Sequence, residues 1–116
     1  MTPKRGDIYL VNFDPTVGAE IRKTRPAVVI QNDIANRYSP ITIVAAMTTK
    51  FDDELYPTEV MVAASRSGLR QDSVILLNQI RSIDKARLVK RVGRVDETTL
   101  KRIRRGLQIS LGLIEF

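Results

Sequence analysis

Arg25 stands directly before Pro26, at the entrance to the apolar run PAVVIQ. Proline pushes the residue before it toward an extended backbone, so the first bonds of the Arg25 side chain point in a narrow range of directions. A guanidinium held there is a forked donor matched to phosphate oxygens. It is equally matched to a loop carboxylate such as Glu20 or Asp14. Thr48 and Thr49 end the run ITIVAAM, where buried-type sequence gives way to polar sequence. A hydroxyl at a rigid strand end can donate to a developing oxyanion, and it can also bond its own backbone in a turn. Asn78 and Gln79 follow SVILL in the same way, with amides that can read base edges or close a turn. Glu20, on the loop Gly18-Ala19-Glu20, is open to three roles: a base, a positioning partner for Arg25, or a plain loop charge.

Other chemistry is narrowed by what is missing. The chain has neither Cys nor His, which removes disulfides, Cys-based metal sites and the commonest general base. Gly-rich phosphate loops, zinc spacings and nucleophile elbows are also absent from the sequence. No metal and no cofactor are expected. Catalysis would rest on Arg, Lys, carboxylates, hydroxyls or Tyr.

Several short strands would have to position these groups. Asp7–Phe13 alternates and is rich in β-formers, and Pro26–Gln31 and Ile41–Met47 are short β-branched runs of the buried kind. Thr58–Val62 and Ser73–Leu77 are further strands, with a turn at Ser67-Gly68. Arg81–Ile83 is a candidate for one more, and Asp84 can cap a helical turn over Asp84–Leu88. Asp14–Thr24 and the polar, acidic Lys50–Pro57 read as loops. The clear helix is C-terminal. Asp96 caps it, Glu97 suits its positive end, and Leu100, Ile103, Leu107, Leu111 and Ile114 form one stripe, with Arg102 and Arg105 facing solvent. Short strands followed by a terminal helix predict a mainly β, α+β fold, a small barrel or curled sheet packed on a helix. One domain over residues 1–116 is expected.

The net charge is +6, and all of it falls from Arg81 onward, where ten basic residues face four acidic ones. A basic end on a neutral body suits a polyanion or an acidic protein partner; a solvated basic helix face is the plain alternative. No stretch is apolar and long enough to span a bilayer and no secretory leader opens the chain. The expectation is a cytoplasmic protein with no membrane partner.

Read together, these residues resemble the MazF/PemK (Kid-like) family of toxin endoribonucleases over essentially the whole chain. The similarity runs through Arg5-Gly6-Asp7-Ile8-Tyr9, the loop from Asp14 to Glu20, Arg25-Pro26-Ala27-Val28-Val29-Ile30-Gln31-Asn32-Asp33, Ala46-Met47-Thr48-Thr49 and Gln79-Ile80-Arg81-Ser82-Ile83-Asp84-Lys85. The resemblance implies an SH3-like barrel of the plasmid-maintenance toxin type that works as a homodimer, with single-stranded RNA in a groove at the dimer interface. It implies metal-independent cleavage by the adjacent ribose 2′-OH, and a MazE-like antitoxin whose acidic C-terminal segment lies in the RNA groove. The family's catalytic Arg and Thr fall on Arg25 and Thr48, and its acidic loop residue falls on Glu20. Gly18, Ala19, Thr49, Asn78, Gln79 and Arg81 are the RNA-contacting candidates. The loop departs from commoner members at Ala19 and at Ile21-Arg22-Lys23, so the resemblance does not extend to the RNA sequence that is cut. A non-catalytic toxin on the same barrel, such as a gyrase-directed poison or an RNA-binding module, is the competing expectation.

Overall fold

The computed structural model describes residues 2–15, 17–20 and 23–115. Strands β1 (Asp7–Asn12), β2 (Thr24–Val29), β3 (Ile41–Thr48), β4 (Glu59–Val62), β5 (Ser73–Asp84) and β6 (Leu88–Arg94) form one antiparallel sheet in the order β4-β5-β3-β2-β1-β6. Alternation along the strands sends side chains to opposite faces, and each face has its own core. Ile8, Val28, Ala45, Met47 and Ile75 form one cluster. Tyr9, Val11, Ala27, Val29, Val44 and Ala46 form the other. In the second cluster, burial and then the nearby Asp7 carboxylate push the Tyr9 phenol above its usual pKa.

Helix α3 (Glu97–Ser110) covers the first cluster through buried Ile103, with Leu100 and Leu107 beside it. It begins as its sequence signals predict, since the Asp96 carboxylate accepts from the Thr99 backbone N–H at 2.8 Å. Hydrogen bonds from Thr99 hold the Asp96 carboxyl below the ordinary carboxylate range. The helix stops at Ser110, and Leu111 at its end is exposed. Lys101, Arg102, Arg104 and Arg105 all face solvent.

The sheet curls until its two edges approach each other. After β4 the short helix α2 (Ala64–Ser67) ends at Gly68, whose φ is +86°, and this turn lies directly against β6. A Cβ added to Gly93 would sit 1.8 Å from the Ser67 carbonyl oxygen, so only glycine permits that approach. Across the second face, the Arg81 guanidinium on β5 donates to the Phe13 carbonyl beyond the end of β1 at 2.8 Å. The result is barrel-like, although the sheet does not close on itself, and it agrees with the mainly β fold with a C-terminal helix expected from the sequence.

Some elements depart from the sequence expectation. Arg81–Ile83 is no separate strand; β5 runs unbroken from Ser73 to Asp84. The predicted turn after it is a short 3₁₀ segment, Lys85–Arg87, with the Asp84 carboxylate accepting from the Ala86 N–H. Unforeseen was β6, whose LVKRVGR alternation is masked by cations that suit an exposed edge strand. Helix α1 (Asp33–Tyr38) was also unforeseen. Its six residues are too few for an apolar period, and it is held by Asn32 as cap and by buried Asn36, whose amide bonds Gln31, Asp33 and Thr42.

A candidate RNA-cleavage cleft

Strand pairing decides where the two principal residues stand. Ala27 pairs with Ala46, Val28 with Ala45 and Val29 with Val44. Carried on by two residues, the same register sets Arg25 across from Thr48. The recorded ladder stops before that point for a local reason. The Val29 carbonyl faces β1, where it accepts from Gly6, and the Ile30 N–H faces β3, where it donates to Ile43. Even-numbered groups of β2 therefore face β3, and Pro26 among them has no N–H to give. Arg25 and Thr48 stand at the unladdered end of this pair, on the sheet face that carries the second core.

Their surroundings differ. Arg25 is exposed and pairs in register with Val11 on its other side. Thr48 is half-buried, and its hydroxyl accepts from the Lys50 N–H at 3.1 Å and donates to the Lys50 carbonyl at 3.4 Å. The local-turn arrangement considered for this residue is therefore present, and it also fixes the direction of the Oγ1. Asp14, one of the carboxylates considered for Arg25, accepts from the Lys23 backbone N–H at 3.0 Å.

On the same face a cleft of about 370 Å³ gathers five of the remaining candidates. Phe13 and Ala46 of the second core lie at its base, Ala19 and Glu20 at one rim, and Asn78, Gln79 and Arg81 along β5. The amides reach it because β5 is irregular there. Ala45 pairs with Ile80 but Met47 with Ile75, so four residues of β5 span the space of one on β3. A bulge of this kind re-aims side chains beside functional sites. One carboxylate oxygen of Glu20 accepts from the Val17 N–H at 2.7 Å, which ties the rim loop to itself. Arg81 is partly committed to the Phe13 carbonyl, so it braces the cleft as well as lining it.

Gly18, with φ +60°, turns the rim loop next to Ala19. Thr49 is not part of this cleft. It lines a separate cavity of about 560 Å³ with Pro26, Arg70, Lys90 and Arg91. Ile21 and Arg22, two of the loop positions expected to depart from the commoner pattern, lie outside the described residues. A third cavity, of about 530 Å³, continues from Asn78 and Gln79 to Tyr56. Tyr56 was passed over in the sequence because Lys50–Pro57 reads as a polar loop, yet a lone aromatic in such a loop was the available signal.

The basic residues from Arg81 onward serve several places in the fold. Arg91 and Arg94 both bind the buried Asp7 carboxylate, at 3.2 and 2.9 Å. Arg87 donates to the Asn12 and Asp14 carbonyls, and Lys85 donates to the Asn36 carbonyl. These cations tie loops and strands together, while those of α3 ride on the helix that covers the opposite face. The basic excess from Arg81 onward is thus spread around the molecule and not gathered at the cleft.

Residues 4–111 match the family model described as PemK-like, MazF-like toxin of type II toxin–antitoxin system. The chain is 48% identical to endoribonuclease EndoA of Bacillus subtilis, with all of both chains covered. It is 44% identical to endoribonuclease MazF of Staphylococcus saprophyticus, over 95% of this chain and 92% of that one. Among solved structures, MazF from Deinococcus radiodurans superposes with a TM-score of 0.81 at 26% identity, covering 97% of this chain and 98% of the other. A mycobacterial endoribonuclease in complex with its cognate antitoxin has the same fold, with a TM-score of 0.80 at 22% identity over 98% and 99% of the chains.

Proposed function

This chain belongs to the PemK-like, MazF-like toxins of type II toxin–antitoxin systems, and we propose that Arg25, Thr48 and Glu20 are the residues with which it cuts single-stranded RNA. It is a toxin endoribonuclease, as its full-length relatives are named. What supports this reading is the β2–β3 register, which, carried on by two residues past Ala27 and Ala46, brings Arg25 opposite Thr48 on the face whose cleft is lined by Glu20, Asn78, Gln79 and Arg81.

In the proposed step, the ribose 2′-oxygen beside the scissile bond attacks phosphorus and its proton passes to the Glu20 carboxylate. The P–O2′ bond forms as the P–O5′ bond breaks. Arg25 is a poor base, because a guanidinium does not give up its proton to become an acceptor in proteins at ordinary pH. It donates to the non-bridging oxygens, and gives a proton to the departing 5′-oxygen, whose alkoxide is a far stronger base than neutral guanidine. The Thr48 hydroxyl, still held through its oxygen by the Lys50 N–H, turns its proton from the Lys50 carbonyl to the same developing charge. The products are a 2′,3′-cyclic phosphate and a 5′-hydroxyl. Asn78 and Gln79 face the bases, since amides can both donate to and accept from base edges.

A second copy of this chain completes the RNA groove in this reading. A flexible acidic antitoxin segment, the counterpart of the cognate antitoxin in the mycobacterial complex, covers the groove when the toxin is silent. Among the described residues no helix is long and apolar enough to cross a membrane; cytoplasmic mRNA is the proposed substrate.

The test is incubation of purified protein with a long RNA in EDTA, with end-group analysis of the fragments. The expected result is discrete fragments with cyclic phosphate and 5′-hydroxyl ends, abolished in a folded Arg25→Ala variant. Exposed Arg25 is not part of either core, so circular dichroism should be unchanged. Fragments ending in 5′-phosphate would overturn the mechanism. RNA that is bound but left intact would make the barrel a binding module instead.

A further inference from the structure

We propose that Tyr56 is the stacking platform of a base-binding subsite that extends the RNA cleft beyond Asn78 and Gln79. This rests on the ribonuclease reading and concerns how that site holds its substrate. The cavity of about 530 Å³ beside Tyr56 shares Asn78 and Gln79 with the cleft that holds Glu20 and Arg81, so the two adjoin at these residues. The Tyr56 side chain has no place in either core, and the residue is 73% exposed. Its backbone, in contrast, is fixed. The Tyr56 N–H donates to the Glu59 carboxylate at 2.8 Å, and the Glu59 N–H donates back to the Tyr56 carbonyl at 2.9 Å. A reciprocal turn of this kind holds an aromatic at the rim without burying it.

Charge selects the occupant. Among the described residues no Lys or Arg lines this cavity, and its one formal charge is the Glu59 carboxylate. A phosphate would be repelled there, whereas an uncharged unpaired base would not. Such a base has a ring to stack on in Tyr56, an apolar wall in Leu76 and the exposed Asn78 amide for its edge. Aromatic stacking combined with edge hydrogen bonds is how single-stranded RNA is commonly held.

The experiment compares Tyr56→Phe and Tyr56→Ala in the full chain. The turn bonds use the backbone of residue 56 and the side chain of Glu59, so neither substitution removes them. Steady-state cleavage of an RNA oligonucleotide spanning a mapped cut site should show KM raised about tenfold in Tyr56→Ala, the loss of one stacked base. Its kcat should change little, and Tyr56→Phe should behave as the parent. In parallel, 2-aminopurine is walked through the same oligonucleotide carrying a 2′-deoxy sugar at the cut site. One position should be quenched on binding to the parent and to Tyr56→Phe, but not to Tyr56→Ala. An unchanged KM in Tyr56→Ala, or quenching that survives in it, would overturn the proposal and leave the ring to a protein partner. Failure of the parent to cut any RNA would count against the ribonuclease reading, while the quenching series would still report on Tyr56.

Discussion

The proposed mechanism asks one hydroxyl, that of Thr48, to keep a structural bond and to take on a chemical task. Its contact with the Lys50 backbone is a local turn bond, whose net contribution is about 0.5–1.5 kcal/mol. An oxyanion donor is worth more, roughly 10²–10³ in rate. The two roles separate by substitution. Thr48→Ser keeps the hydroxyl and should retain most of the cleavage rate. Thr48→Val keeps the branched shape and should lose rate by about 10²–10³, with only a small fall in urea midpoint. Equal cleavage by the Ser and Val variants would reduce Thr48 to a turn former. Arg25 was legible at this scale because Pro26 restricts it in the sequence. That the same proline ends the ladder with β3 was legible only once the direction of each N–H was known.

At the scale of elements, two glycines permit the closest packing of helices against strands. Gly93 on β6 meets the Ser67 carbonyl, and backbone on both sides leaves no room to yield. Gly93→Ala should therefore cost about 4 kcal/mol or more and leave little folded protein. Gly106 on α3 faces Leu77, with an added Cβ 2.4 Å from a side-chain methyl carbon that can move. Gly106→Ala should cost about 1–3 kcal/mol, seen as a lower urea midpoint. Because Leu77 precedes Asn78 on the bulge of β5, it should also weaken RNA binding. If both variants melt like the parent, the approach of α2 to β6 and of α3 to β5 is looser than described. The strands β1 to β4, the first part of β5 and helix α3 could be read from alternation, β-branched runs and capping residues. Neither α1 nor β6 could, since a six-residue helix and a cationic edge strand carry little apolar periodicity.

At the scale of the molecule, most of the positive charge from Arg81 onward is divided between clasps and the outer face of α3. Replacing Lys101, Arg102, Arg104 and Arg105 together by Gln should leave cleavage of a short RNA nearly unchanged, because these residues ride on the face opposite the cleft. A large drop in kcat/KM would mean that RNA also passes over α3. An acidic antitoxin segment laid in the cleft should compete with RNA, and its inhibition should weaken as salt rises. Titrating such a peptide against a fluorogenic RNA at several salt concentrations checks this. Non-competitive, salt-insensitive inhibition would place the acidic segment elsewhere.

Sequence alone was enough for the family, the mainly β fold with its capped terminal helix, and the residue types available for chemistry in a chain without His or Cys. Those features are local or compositional: alternation, caps, a proline after an arginine, an absent residue type. Which candidates meet was settled by the folded chain. The β5 bulge brought Asn78 and Gln79 into one cleft with Glu20 and Arg81, the β2–β3 register points Arg25 and Thr48 to the same sheet face, and Thr49 lines a different cavity. Folding also turned much of the basic C-terminal third into clasps between distant strands. Contacts of that kind join residues dozens of positions apart, as Arg91 and Arg94 join Asp7, and no local pattern in the chain encodes them.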